Sequence, residues 1–136
     1  WLGRAYLGLG CGAWGTLNAG SARYRYRNTP SPERYLAGGP SFASAELLRE
    51  GPLVANFEPI SPETALAERI MLGLRLADGV DLERAADELG TPLWTPERER
   101  ARDKLVAQGK LALRGSATVI PKAKWLFADG IISELM

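Results

Sequence analysis

Apolar residues recur at helical spacing through the middle of the chain, between residues 61 and 80. Leu66, Ile70 and Leu74 lie four residues apart, so they share one face of a helix. A serine–proline pair precedes the stripe as a start signal, and Gly79 can end a helix in the left-handed conformation. The pattern predicts one helix up to Gly79, with a broad apolar face, at the centre of a C-terminal domain.

The pattern after this helix predicts two shorter helices, a hairpin and a closing helix. Asp81 is placed to cap a helix that stops at Gly90, and Thr95 to cap one that runs to about Gln108. Turn residues around Gly115 predict the hairpin. The closing helix begins at Pro121, and its predicted inward residues are Trp125, Ala128, Ile131, Ile132 and Leu135. Three helices followed by a hairpin is the order of a winged-helix domain.

The first half of the chain has short elements of both kinds, which makes the predicted fold class α+β. Residues 4–10 read as a buried strand, and residues 10–20 as a loop of small residues. Arginine and tyrosine alternate over residues 22–27, which predicts a strand with arginines on one face and tyrosines on the other. Further predicted elements are short helices over 31–36 and 42–50 and an extended segment over 53–60 that links the two halves.

Composition excludes several classes of protein. The 136 residues include 17 basic and 16 acidic ones, a balance unlike that of a dedicated nucleic-acid binder. No apolar run reaches the roughly 18–20 residues that span a bilayer, so a cytoplasmic location is expected. The single cysteine, Cys11, and the absence of histidine exclude an internal disulfide, a multi-thiolate metal site and histidine catalysis.

Two motifs have alternative interpretations. Gly10, Gly12 and Gly15 satisfy the G-x-G-x-x-G pattern of dinucleotide-binding folds, but the residues that follow are poor helix formers, so close backbone approach is favoured. Cys11 is interpreted as a small packed residue, with a nucleophile as the alternative. The arginine–tyrosine strand is interpreted as partly exposed, its arginines solvated or paired with acids; binding of single-stranded nucleic acid is the alternative.

A winged-helix order raises the question of DNA binding by the third helix. That helix carries four basic and three acidic residues over positions 96–108. Acidic side chains on a reading helix repel phosphates, so the composition favours protein or domain packing over DNA binding.

Several segments together resemble one known family. They are Tyr6–Gly15, Arg27-Asn28, Tyr35-Leu36, Glu68–Leu76, Gly79–Leu82, Leu105–Leu111, Pro121-Lys122 and Ala128–Ile132. In this order they resemble the C-terminal part of the oxygen-independent coproporphyrinogen III oxidase family of radical S-adenosylmethionine (SAM) proteins, and the heme-chaperone branch most closely. Trp14 departs from the histidine that is frequent in that branch, and Ala123 from a more usual glycine.

The resemblance implies an organisation for the whole chain. Residues 1–58 correspond to the last strand, loop and peripheral elements of a radical SAM barrel, and residues 59–136 to the family's winged-helix-like domain. The three cysteines that ligate the family's 4Fe-4S cluster are absent, so this chain alone is expected to be inactive. Trp1 resembles the final residue of the branch's His-Asn-x-x-Tyr-Trp heme motif.

The resemblance also implies a cofactor site but no catalytic residue and no metal ligand. Trp14 matches a position that lines a SAM pocket in the oxidase, and Gly10, Gly12 and Ala13 are the adjoining backbone; the alternative is a Trp14 that is only packed beneath the barrel. Arginines of the second strand, Arg23, Arg25 and Arg27, are candidates for pairing with tetrapyrrole propionates, with a structural role as the alternative.

The function implied is that of a fragment of a heme chaperone, which binds and transfers heme. The alternative is a fragment of the oxidase, which decarboxylates coproporphyrinogen to protoporphyrinogen, and a lesser one is a winged-helix interaction module. The parent protein is expected to use a 4Fe-4S cluster, SAM and heme. Expected partners are its own N-terminal barrel, heme or porphyrin, and a heme-acceptor protein or membrane-associated respiratory enzyme; nucleic acid is not among them.

Overall fold

The computed structural model describes residues 3–20, 22–37 and 53–136, which combine helices and strands in an α+β fold. The chain forms two compact units. The N-terminal unit is Arg4–Ser61, and the C-terminal unit is Pro62–Met136, to which Gly3 also belongs. The helix predicted over residues 42–50 lies outside the described residues.

The N-terminal unit is built on an antiparallel sheet in the order β1 (Trp14–Ala19), β2 (Ala22–Asn28) and β3 (Val54–Ile60). The predicted arginine–tyrosine strand is therefore confirmed as β2. Its two faces differ as predicted, since Tyr26 is fully buried while Arg25 pairs with Glu58 on β3 at 3.3 Å. The predicted short helix is also present as α1 (Pro32–Ala37).

Two predictions for the start of this unit are wrong. Residues 4–10 are not a buried strand: Leu7 and Leu9 are exposed, and only Tyr6 makes a β-bridge, to Thr16. After Tyr6, whose backbone bonds to Thr16 of β1, the backbone at Gly8 and Gly10 bonds to side chains of β2 and α1. Residues 14–19 are not a loop but form β1, because they pair along their whole length with β2. Similarly, the extended segment over 53–60 is more than a link, since β3 forms the sheet's third strand.

The C-terminal unit contains α2 (Pro62–Gly73), α3 (Leu82–Leu89), α4 (Pro96–Ala107), the hairpin of β4 (Ala112–Arg114) and β5 (Ala117–Val119), and α5 (Ala128–Leu135). Asp81 and Thr95 cap α3 and α4 through their side chains, as predicted. The predicted stripe of α2 is buried and belongs to a core shared with the other helices and the hairpin; its most enclosed members include Leu66, Ile70, Leu74, Leu105 and Ile131.

The central helix is shorter than predicted. It ends at Gly73 and not near Gly79, and residues 74–78 form turns. Gly73 is packed against Val80, since a Cβ there would lie 2.5 Å from the Val80 Cβ. Val80 in turn exchanges backbone hydrogen bonds with Thr118 of the hairpin. The chain leaves the helix early because Val80 must reach this bridge.

The closing helix is divided and only partly inward. Residues Lys122–Phe127 form a 3-10 helix, and the α-helix begins at Ala128. Ile131, Ile132 and Leu135 are buried as predicted, but Trp125 is 42% exposed. Its indole Nε1 donates to the Ile120 carbonyl at 2.9 Å, which holds the ring at the surface. Among the described residues, no helix is long and apolar enough to cross a membrane.

Candidate functional site

The candidate site is the glycine-rich loop, residues 8–14 of the N-terminal unit. Gly10 and Gly12 have φ angles of 99° and 69°, which side chains other than glycine rarely adopt. A Cβ on Gly10 would meet no atom of the described residues within 4 Å, so the φ angle of this position, and not close packing, requires glycine. The loop therefore presents open backbone at Gly10.

Asn28, at the end of β2, fixes this loop from its buried side. Its Nδ2 donates hydrogen bonds to the carbonyl oxygens of Gly8 and Gly10, both at 2.9 Å, and the side chain is fully buried. The Gly10 amide donates to the hydroxyl of Tyr35 on α1, also at 2.9 Å. Asn28 and Tyr35 thus fix both polar groups of Gly10.

Tyr26 supports the loop from the same strand. Its hydroxyl accepts a hydrogen bond from the Gly8 amide at 2.9 Å. Its ring lies so close to Gly15 that a Cβ there would be 2.3 Å from ring carbons, and a Cβ on Gly8 would be 2.2 Å from the Trp14 carbonyl oxygen. In and beside the glycine-rich loop, Gly8 and Gly15 are therefore required by close packing. No real side chain tolerates such contacts without a shift of its neighbours.

The outer part of the site combines an aromatic ring with a guanidinium group. Trp14 is 41% exposed, and the guanidinium carbon of Arg27 lies 5.7 Å from the centroid of its ring. The two residues are direct partners in the β1–β2 register. The Arg27 Nε also donates to the Gly12 carbonyl at 3.4 Å. This geometry brings the predicted residues Gly12, Ala13 and Trp14 beside Arg27.

Cys11 is an exposed free thiol at the outside of the loop, so its interpretation as a packed residue is wrong. The reason is that side chains from β2 and α1 fill the space beneath the loop. Trp1, the remaining predicted site residue, lies outside the described residues. Within the described ranges, no group of three or more cysteine, aspartate or glutamate residues is arranged to hold a metal ion.

The arrangement suits a flat heteroaromatic ligand with a carboxylate. An exposed indole offers a stacking surface, the guanidinium can pair with a carboxylate, and the open backbone at Gly10 allows close approach. Sequence reasoning missed the supporting roles of Tyr26 and Asn28. Asn28 and Tyr35 belong to segments that carry the family resemblance, and that membership is the sequence feature that could have identified them as supporting residues.

Comparison with known proteins identifies the class to which the chain belongs. The family model described as "HemN C-terminal domain" matches residues 60–127, and the chain belongs to this family. The predicted resemblance to this family is thereby confirmed.

Two curated relatives extend the similarity to the whole chain. They are the proteins named heme chaperone HemW from Mycobacterium tuberculosis strains CDC 1551 / Oshkosh and ATCC 25618 / H37Rv. Each is 30% identical over 137 aligned positions, which cover 100% of this chain and 30% of the relative. The chain therefore spans less than a third of these relatives' length. No solved structure gives a significant match.

Proposed function

We propose that the chain acts as the C-terminal part of a radical SAM heme chaperone, which binds heme and transfers it to an acceptor protein. The observation that carries this proposal is the similarity to proteins named heme chaperone HemW along the entire chain. Oxidative decarboxylation of coproporphyrinogen is the alternative, because the family resemblance includes the oxidase branch. The acceptor under the main proposal is a heme-acceptor protein or a membrane-associated respiratory enzyme, and the location is cytoplasmic.

The proposed organisation assigns residues 1–58 to the end of a radical SAM barrel. Tyr6, Leu7 and Leu9 support this assignment, because they are 53%, 58% and 72% exposed along one short segment. Large apolar side chains in such a run normally lie against another element. In the proposal, the neighbouring barrel strands of the parent protein cover them.

Residues 59–136 are assigned to a winged-helix domain. The order of α2, α3, α4 and the hairpin supports this assignment. So does the antiparallel bridge between Val80 and Thr118, which adds a short third strand to the hairpin. This domain is proposed to pack against protein and not against DNA, since α4 carries acidic residues among its basic ones.

The glycine-rich loop is the proposed SAM-binding element of this chain. Trp14 would stack on the adenine, Arg27 would pair with the methionine carboxylate, and Gly10, Gly12 and Ala13 would let the ligand approach the backbone closely. Bound at a 4Fe-4S cluster, SAM supplies an organic radical on reductive cleavage. The cluster needs three thiolates and this chain has one cysteine, so the proposal places those ligands in the part of the relatives' length that the chain does not span.

The test uses the complete parent protein with its cluster reconstituted. Heme titration followed by Soret absorbance, with transfer to apo-acceptor hemoproteins, tests the chaperone role. Anaerobic incubation with coproporphyrinogen III and SAM tests the oxidase role through protoporphyrinogen formation. Heme transfer without decarboxylation would support the chaperone proposal. Catalytic decarboxylation would refute that proposal and support the oxidase alternative.

Paired variants test the proposed SAM contacts separately. Arg27→Ala should weaken SAM binding, measured by calorimetry, by about tenfold, as expected for loss of one partly exposed ion pair. Arg25→Ala is the matched control, because Arg25 lies on the same strand and pairs with Glu58 instead. Equal effects of the two substitutions would contradict the assignment of Arg27.

A further inference from the structure

The C-terminal unit carries an open groove of about 840 Å³ that the proposed function does not use. One wall is α3, the other is α4, and the hairpin closes one end. Leu82 and Leu111 lie at its base and are 3% exposed. Val106 and Leu113 also line it but are 49% and 76% exposed, so the groove presents apolar side chains to solvent.

Trp94 forms part of the groove wall and is fixed in place. Its indole Nε1 donates to a Glu83 carboxylate oxygen at 2.6 Å, and the guanidinium carbon of Arg102 lies 4.5 Å from its ring centroid. Asp81 caps α3 at the end of the groove, since its carboxylate accepts a hydrogen bond from the Arg84 amide at 3.0 Å. The groove is thus a formed surface and not a gap between mobile elements.

The charged residues that line the groove are mainly acidic. Its lining includes four carboxylates, from Asp81, Glu83, Asp87 and Asp103, and two guanidinium groups, from Arg84 and Arg102. Both guanidinium groups are paired with acids: Arg102 with Asp103 at 2.8 Å, and Arg84 with Glu88 at 3.8 Å. The Asp87 carboxylate has no hydrogen bond or ion pair to the described residues. The groove is therefore negative although the chain as a whole is +1.

From this combination we infer that the groove binds an amphipathic helix of a partner protein, with leucine-like anchors on one face and lysine or arginine beside them. An apolar groove between two helices accepts anchors spaced three and four residues apart. Basic residues next to those anchors would reach Asp87 and the other carboxylates of the rim. A nucleic acid or an anionic membrane does not fit, because its phosphates would face the acidic rim.

The experiment uses the full chain, ¹⁵N-labelled, and two synthetic 18-residue helical peptides. One peptide is composed of leucine and lysine, and the other has glutamate in place of every lysine. The Trp94 indole N–H resonance reports on the groove, and the Trp125 indole reports on an exposed apolar surface outside it. We expect the leucine–lysine peptide to shift the Trp94 signal saturably and leave the Trp125 signal unchanged. The glutamate peptide should shift neither.

Matched substitutions distinguish the groove from general charge attraction. Asp87→Lys should weaken binding of the leucine–lysine peptide by about tenfold at low salt, and Leu113→Ser by a similar factor. Asp78→Lys changes the net charge equally but lies outside the groove lining, and Leu126→Ser removes an apolar residue that is 97% exposed elsewhere, so both should leave affinity within about twofold.

Several results would overturn the inference. They are no saturable shift of Trp94 with millimolar leucine–lysine peptide, equal binding of the glutamate peptide, or equal weakening by the Asp87 and Asp78 substitutions. A dominant shift of the Trp125 signal would also overturn it, since that result would place peptide binding on the surface outside the groove. Failure of heme binding by the parent protein would not bear on the groove, because the two tests use different residues.

Discussion

Replacement of Asn28 offers a quantitative test of how the glycine-rich loop is held. The wild-type amide donates two hydrogen bonds of 2.9 Å, while its Oδ1 is buried with no hydrogen-bond partner among residues 3–20, 22–37 and 53–136. Asn28→Ala removes both donors but also removes the unsatisfied oxygen, which offsets part of the loss. With about 1 kcal/mol for each bond and a term for the vacated space, we expect a loss of about 2 kcal/mol.

Asn28→Asp should destabilise the protein more than Asn28→Ala, although aspartate is closer in shape. The aspartate keeps the unsatisfied acceptor, replaces the amide nitrogen that donates both bonds with a second acceptor oxygen, and places a buried charge beside the carbonyls of Gly8 and Gly10. We expect a loss of about 3–4 kcal/mol at neutral pH. Burial raises the pKa of the introduced carboxyl in the folded state. The loss of stability relative to wild type should therefore grow as pH rises above about 4 and shrink in acid, where the protonated carboxyl donates one hydrogen bond.

Native-state amide exchange measures these losses within one sample. Amides of β2 should exchange about 30-fold faster in Asn28→Ala and several hundredfold faster in Asn28→Asp, since each 1.4 kcal/mol is tenfold. Amides of the C-terminal core around Ile70 provide an internal reference. Asn18, which is exposed on β1, is the matched control: the free energies of unfolding of its Ala and Asp variants should each lie within about 0.5 kcal/mol of the wild-type value. A larger loss for Asn28→Ala than for Asn28→Asp would refute the proposed geometry.

Three further predictions concern packing and pH dependence. Gly15→Val should cost at least about 3 kcal/mol by urea unfolding, because its Cβ would overlap the Tyr26 ring and the strand cannot shift without losing its register. Leu105→Ala should cost about 2–5 kcal/mol in the same assay, whereas Val106→Ala, at a neighbouring half-exposed position, should cost less than about 1 kcal/mol; equal losses would contradict the assigned core. Hydrogen bonds from the Arg84 amide and the Ser116 side chain lower the pKa of Asp81 in the folded state. The stabilisation by this carboxylate is therefore present above the unfolded-state pKa of about 4 and is lost as pH falls through the folded-state pKa. Asp81→Asn should flatten the acid limb of the curve of stability against pH, and an unchanged limb would contradict this role.

The sequence predicted helices and caps well because those signals are local. Thr95 and Asp81 cap helices through bonds to residues three positions on, a relation visible in sequence order. The end of the central helix was missed because it depends on Val80 bonding to Thr118, which lies 38 residues away along the chain. Local residue preferences contain no term for such a bridge.

The site was predicted only in part, because only some of its signals are local. The small residues indicated the glycine-rich loop, but they did not indicate the path of its backbone or the strand that follows it. Gly8 and Gly15 were indistinguishable in sequence from Gly10. A Cβ on either of the first two would collide with neighbouring atoms, whereas a Cβ on Gly10 would meet no atom of the described residues within 4 Å. Distinguishing them requires knowing where the Tyr26 ring lies, and that depends on the register of β1 against β2.

The conformation of the candidate site depends on side chains outside the glycine-rich loop, mainly those of β2. Glycine loses more conformational entropy on ordering than any other residue, so a loop with several glycines would be mobile unless other residues fixed it. Tyr26, Asn28 and Tyr35 provide that restraint through bonds to Gly8 and Gly10. A ligand that contacts Trp14 and the loop backbone then meets a surface already ordered, and its affinity is not reduced by the entropy of ordering it. Substitutions at Asn28 should therefore weaken ligand binding even though this buried side chain cannot touch the ligand.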